Sequence, residues 1–186
     1  GMSNVLKPQP TALAEWYEIV REAEAVSGLR VAEELENYLV NLLLRFTDKP
    51  ALADAVLGLD YLLAEQQLTP TKYSALREVG DQCLLYSGLY PERAQRRRVR
   101  ISYFVEIGQR AYCSAAMNIT RDAELSMLFE QLGTRFVRLM DILLSLRALA
   151  GRDKQLPLLQ AVELWQDTSS ESAKKIITEH TDGFVV

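Results

Sequence analysis

Asp81, a run of arginines after Pro91 and the tyrosines around them are the residues of this chain whose types and spacing suit chemistry. Arg93, Arg96, Arg97, Arg98 and Arg100 place five guanidinium groups within eight residues, the strongest positive patch in the sequence. Guanidinium at that density can grip phosphate or an acidic partner, which makes Arg96, Arg97, Arg98 and Arg100 candidate anion-binding residues. The plainer reading is a solvated connector that pairs with the acid-rich first two helices. Nucleic acid is disfavoured: no aromatic platform or helix-turn-helix pattern accompanies the patch, and the whole chain carries a net charge of −4.

Asp81 sits beside Gly80 and Cys83, with Leu84 and Leu85 one turn on, a pattern that predicts a half-buried position. A buried carboxylate needs a partner, and Arg77, Arg93 or Arg110 could supply one. The pair would be either a structural tie or the polar end of a ligand pocket. Such a pocket would lie between the helices at 70–89 and 99–117 and draw on Asp81, Glu92, Arg93, Tyr103, Glu106, Arg110 and Tyr112. A carboxylate with a tyrosine can do acid–base work without histidine. Glu106 also stands four residues before Arg110, the favourable order for a helical ion pair.

Several reaction classes lack their equipment. His180 is the only histidine, so a Ser-His or Cys-His nucleophilic pair would have to recruit it from the last residues of the chain. Residue 177 is isoleucine, so the Glu-x-x-His arrangement of di-iron bundles is missing, as is any His-rich zinc motif. Neither a G-x-G-x-x-G turn nor a G-x-x-x-x-G-K phosphate loop occurs. No D-x-x-x-D pair, of the kind a Mg²⁺ site would favour, occurs. The expectation is a chain with no catalytic residue, no metal and no cofactor. Cys83 and Cys113, the only cysteines, lie among apolar neighbours and read as reduced, buried thiols.

The elements that must position these residues are helical throughout. Prolines and glycines fall between segments of 3.6-residue periodicity. They predict helices over about 11–26, 29–46, 50–67, 70–89, 99–117, 120–150, 156–166 and 169–179, with Thr69 capping the fourth and Thr168 to Glu171 forming a capping box for the last. The longest, 120–150, is apolar at Leu125, Phe129, Leu132, Phe136, Leu139, Leu143, Leu146 and Ala150, an alternating four-three spacing like a coiled-coil seam. Val137, Met140, Ile142 and Leu144 add apolar surface off the seam, which points to the centre of an intramolecular bundle, with a dimer contact as a secondary use. No strand alternation, internal repeat or low-complexity linker appears. The fold class expected is all-α: a single-domain, multihelical bundle of about eight helices around a long central helix.

At 186 residues with 48% hydrophobic and 25% charged composition, the chain can bury one core without a second domain. No 18-residue apolar run or signal-peptide pattern is present, so a soluble cytoplasmic protein with no membrane contact is expected. Gly1 before Met2 reads as a tag-cleavage scar, and 180–186 as a flexible or docked tail. Gly80-Asp81, Ser87-Gly88, Pro91-Glu92-Arg93 and then Tyr103, Gly108, Ala111 and Tyr112 together resemble a pattern found in uncharacterised bacterial all-helical proteins. That resemblance covers about a fifth of the chain, brings no assigned activity, and implies only that this segment matters beyond packing. The leading functional expectation is a non-catalytic binding or protein-interaction domain, a homo-oligomer that uses helix faces for itself or a protein partner. The alternatives are a small-molecule pocket or metal-free enzyme site at Asp81, and phosphate or nucleic-acid contact through the arginine turn.

Overall fold

The computed structural model describes residues 8–59, 73–150 and 156–183. Among them, ten helices and no strand form an all-α multihelical bundle. In chain order these are α1 (Pro8–Ser27), α2 (Glu33–Asp48), α3 (Pro50–Leu57), α4 (Tyr73–Leu89) and α5 (Pro91–Arg96), then α6 (Ile101–Met117), α7 (Ala123–Thr134), α8 (Phe136–Leu149), α9 (Leu158–Thr168) and α10 (Glu171–Gly183). Expectations for Gly1, for residues 60–72, including the Thr69 cap and the start at Pro70, and for 184–186 lie outside the described residues.

The core forms where α4 meets α6 and α8. From Cys83 to Leu89 every residue of α4 is buried, so this helix is covered on all sides over its last two turns. α7 lies on α6, α1 lies on α8 and α2, and α9 and α10 pair with each other while touching α6 and α8. Tyr86, Phe104, Tyr112, Phe129 and Phe136 are the largest side chains fully withdrawn from solvent. Each contributes roughly 1.5–3 kcal/mol of transfer free energy relative to exposure.

The segment expected as one helix over 120–150 is two. α7 and α8 meet at Arg135, where φ −103° and ψ 14° leave helical geometry. Just before the break, Gly133 rests so close to Cys113 of α6 that a Cβ would collide with its sulfur. That contact draws α7 onto α6, whereas α8 turns toward α1 and α4. Phe129, Leu132, Phe136, Leu139, Leu143 and Leu146 are buried, whereas Leu125 is half-buried and Ala150 exposed, so most of the seam is consumed inside the chain.

The ends of the shorter helices also differ from the expected ones. α5 is an extra helix opened by Pro91, and it closes with Arg98 N–H bonded to Gln95 O and Val99 N–H to Ala94 O, both at 3.0 Å. This closure puts Arg98 at φ +56°, a conformation in which glycine is usual. α10 is capped by Ser170, whose Oγ accepts from Ala173 N at 3.1 Å, instead of by Thr168, whose hydroxyl turns back to Leu164 O. Ser169 is the cause: its left-handed φ of +58° ends α9 and leaves Ser170 at the start of the next helix.

Candidate functional site

Asp81, 1% exposed on α4, is held by side chains from three helices. Its Oδ1 accepts from Tyr38 Oη at 2.6 Å and from Tyr112 Oη at 2.7 Å. Its Oδ2 accepts from Arg45 Nη2 at 3.1 Å and lies 3.7 Å from Arg77 Nε. Local geometry explains each approach. Arg77 stands one turn before Asp81 on the same helix. Tyr38, Leu42 and Arg45 recur at four- and three-residue steps along one face of α2, so the helix that buries Leu42 carries both polar groups to the same place. Gly80 lets the Tyr112 ring lie on the α4 backbone, since a Cβ there would fall 2.5 Å from the ring. Edge-on contacts of Tyr38 with Phe129 and Tyr112 fix the phenols further.

Burial, followed by the charge of Asp81, pushes both phenols well above the usual tyrosine range. Tyr38 and Tyr112 therefore stay protonated donors at neutral pH, and both Asp81 oxygens are occupied. The carboxylate therefore has its acceptors committed to neighbouring side chains. The expected pocket between the helices at 70–89 and 99–117 is closed where they meet: Tyr112 fills the space over Gly80, and Phe136 and Cys83 crowd Gly108. Space opens instead on the α2 side of Asp81. There a pocket of about 330 Å³ is lined by Asn37, Tyr38, Asn41, Arg45, Arg77 and Leu128, with Glu34 at its rim.

The other residues singled out in the sequence are dispersed. Glu92 pairs with Arg147 of α8 at 2.9 Å, and Arg93 Nη2 donates to Leu57 O at 2.8 Å, so both serve packing beyond the far end of α4. Tyr103, Glu106 and Arg110 are exposed on the outer face of α6, away from Asp81. Of the three arginines considered as its partner, Arg77 is the one that reaches it, and Arg45 is the one sequence reasoning missed. Arg96, Arg97 and Arg98 are exposed. Arg100 is bound at 2.9 Å by Asp167 and lies 3.8 Å from Glu163, so its acidic partners sit on α9 and not on the first two helices. Cys83 is buried, and burial raises its thiol far above the usual range; Cys113 is partly buried, and both are free thiols. Among the described residues no group of three or more His, Cys, Asp or Glu side chains is placed to hold a metal ion, and no helix is long and apolar enough to cross a membrane.

A second concavity, unmarked by any motif, lies between the end of α1, α8 and α10. It is a cleft of about 250 Å³ walled by Val26, Leu144, Leu149, Leu156 and Ile176, with Lys175 and Glu179 on the α10 side. Val26 and Leu149 are 51% and 41% exposed. Elsewhere, α9 leaves an apolar stripe uncovered: Leu158, Leu159 and Trp165 are 41%, 69% and 42% exposed, with Val162 between them at helical spacing. No single segment of sequence holds the cleft, because its walls come from helices more than a hundred residues apart.

No protein-family model, curated protein or solved structure matches the chain.

Proposed function

We propose that this chain is a non-catalytic helical interaction domain that associates with itself, the apolar cleft of α1, α8 and α10 receiving the uncovered stripe of α9 from a second copy. One observation carries the reading: the same chain leaves open both an apolar-walled cleft and an apolar helix stripe. An amphipathic helix laid in an apolar groove is a common mode of recognition, and exposed apolar surface of this kind marks an interaction site. The burial of Asp81 supports the non-catalytic part, since the group best suited to acid–base work already accepts three hydrogen bonds from its neighbours. A cytoplasmic location fits such a domain, as does a place among bacterial all-helical proteins.

Because cleft and stripe are different surfaces, the contact is heterologous, and each copy uses one half of it toward a given neighbour. Native mass spectrometry at micromolar concentration should show species above the monomer. Val26→Lys in the cleft and Leu159→Glu in the stripe, both at exposed positions, should each give monomer. Mixing the two variants should restore a one-to-one pair, because one supplies an intact stripe and the other an intact cleft. A wild-type chain that is monomeric throughout, or variants that fail to rescue each other, would refute this assembly.

A further inference from the structure

Two guanidinium groups meet one carboxylate oxygen at Asp81, and a single buried carboxylate needs only one of them for its charge. Arg45 spends one of its N–H groups on Asp81 Oδ2, and Arg77 approaches the same oxygen with its Nε. Both side chains remain about one-third exposed, at 32% and 36%, and both line the pocket on the α2 side. Asn37, whose Oδ1 accepts from Tyr17 Oη, and Asn41 complete the polar lining. Tyr38, itself a wall of the pocket and bonded to Arg77, and Tyr112 hold Asp81 Oδ1, so the two guanidiniums are set in place before anything binds.

We propose that this pocket is an oxyanion site, taking a tetrahedral group of the phosphate or sulfate type on the free N–H groups of Arg45 and Arg77. Planar forks from two different helices converge from two directions. A phosphate or sulfate group brings three or four acceptor oxygens and up to two negative charges to both guanidiniums, whereas a free carboxylate brings two oxygens and one charge. Asp81 acts here as a positioning residue: it fixes the guanidiniums and cancels half their charge. Glu34 at the rim opposes the ligand and limits its affinity. The site is independent of the self-association proposed above and lies on a different part of the molecule.

The test is calorimetric titration of inorganic phosphate into the full chain at constant ionic strength maintained with chloride. Saturable binding at one site per chain is expected, with sulfate competing and acetate competing poorly. Arg77→Gln should weaken binding by about tenfold or more, with melting little changed because Arg45, Tyr38 and Tyr112 still hold Asp81. Asn41→Asp, an exposed change at the pocket edge, should also weaken it, which keeps the test sound should Arg77→Gln misfold. Glu34→Gln should tighten binding by about threefold by removing a like charge at the rim. Arg96→Gln in the exposed turn should leave it unaltered. No saturable phosphate binding, acetate binding as tightly as phosphate, or equal losses in Arg96→Gln and Arg77→Gln would each overturn the proposal.

Discussion

Asp81 and Asp141 are both buried aspartates on core helices, and the molecule satisfies them by different means. Asp81 gathers two phenols and two guanidiniums from α2, α4 and α6, so its bonds cross between helices and involve full charges. Asp141 on α8 meets only hydroxyl and backbone donors: Ser170 Oγ at 2.5 Å and Glu171 N at 3.0 Å, while its own carbonyl accepts from Ser172 Oγ. Burial pushes Asp141 up to about 6, against the opposing pull of those hydrogen bonds. The first carboxylate ties three helices into one core and organises cations at a pocket. The second serves the start of a single helix, α10, which forms one wall of the apolar cleft.

Removing the tie should have the largest effect. Asp81→Leu leaves two guanidiniums and two phenols without their acceptor, and we expect about 3–5 kcal/mol of lost stability in urea denaturation. A loss below about 1 kcal/mol would show that the cluster does not hold the helices together. Asp141→Ala should cost less, about 1–2 kcal/mol, on the scale of a lost helix cap. Its amide exchange should quicken in α10 while α4 keeps its protection; equal loosening of α4 would erase the distinction between the two aspartates.

The remaining expected effect is on pH dependence, and it brings in a third buried carboxylate. Glu24 on α1 is pushed up to about 7, first by burial and then by hydrogen bonding to, and charge repulsion from, Glu36. Its folded value lies above its unfolded one, so the native state binds the extra proton and the protonated group favours folding. That contribution is fully present below about 4.5 and is lost as pH rises through about 7. The stability of wild type relative to Glu24→Gln should therefore decline across that window, as read from denaturant midpoints at a series of pH values. A relative stability that climbs with pH would reverse the sign and remove the burial explanation.

Legibility followed the distance over which each contact acts. The helices of the described residues were readable from apolar spacing, because a helix that buries one face must repeat its apolar residues every three or four positions. Asp81 stood out for the same reason, and Arg77 was among its named partners because four residues make one turn. Tyr38 repeats with Leu35, Leu39 and Leu42 along the apolar face of α2, and Arg45 in register with that face is the available sign that a charge is carried inward. Glu92, Arg93, Tyr103, Glu106 and Arg110 had been grouped with Asp81 by nearness in sequence, yet helix rotation and the Pro91 turn send them elsewhere. The expected long helix over 120–150 failed at Arg135 because the seam says nothing about Gly133 docking on Cys113.

The sequence by itself determined that this protein is helical and where most of its helices run, and it marked Asp81 on α4 as a half-buried carboxylate in need of a partner. Tertiary structure alone decided that Arg45 joins Arg77 and that Arg93 and Arg110 do not, that a pocket opens toward α2, and that α1, α8 and α10 leave an apolar cleft between them. The physical reason is that spacing within a helix is imposed by its 3.6-residue turn and is written along the chain. Which helix faces meet, and at what depth, depends on the packing of side chains far apart in sequence, and no local pattern records it.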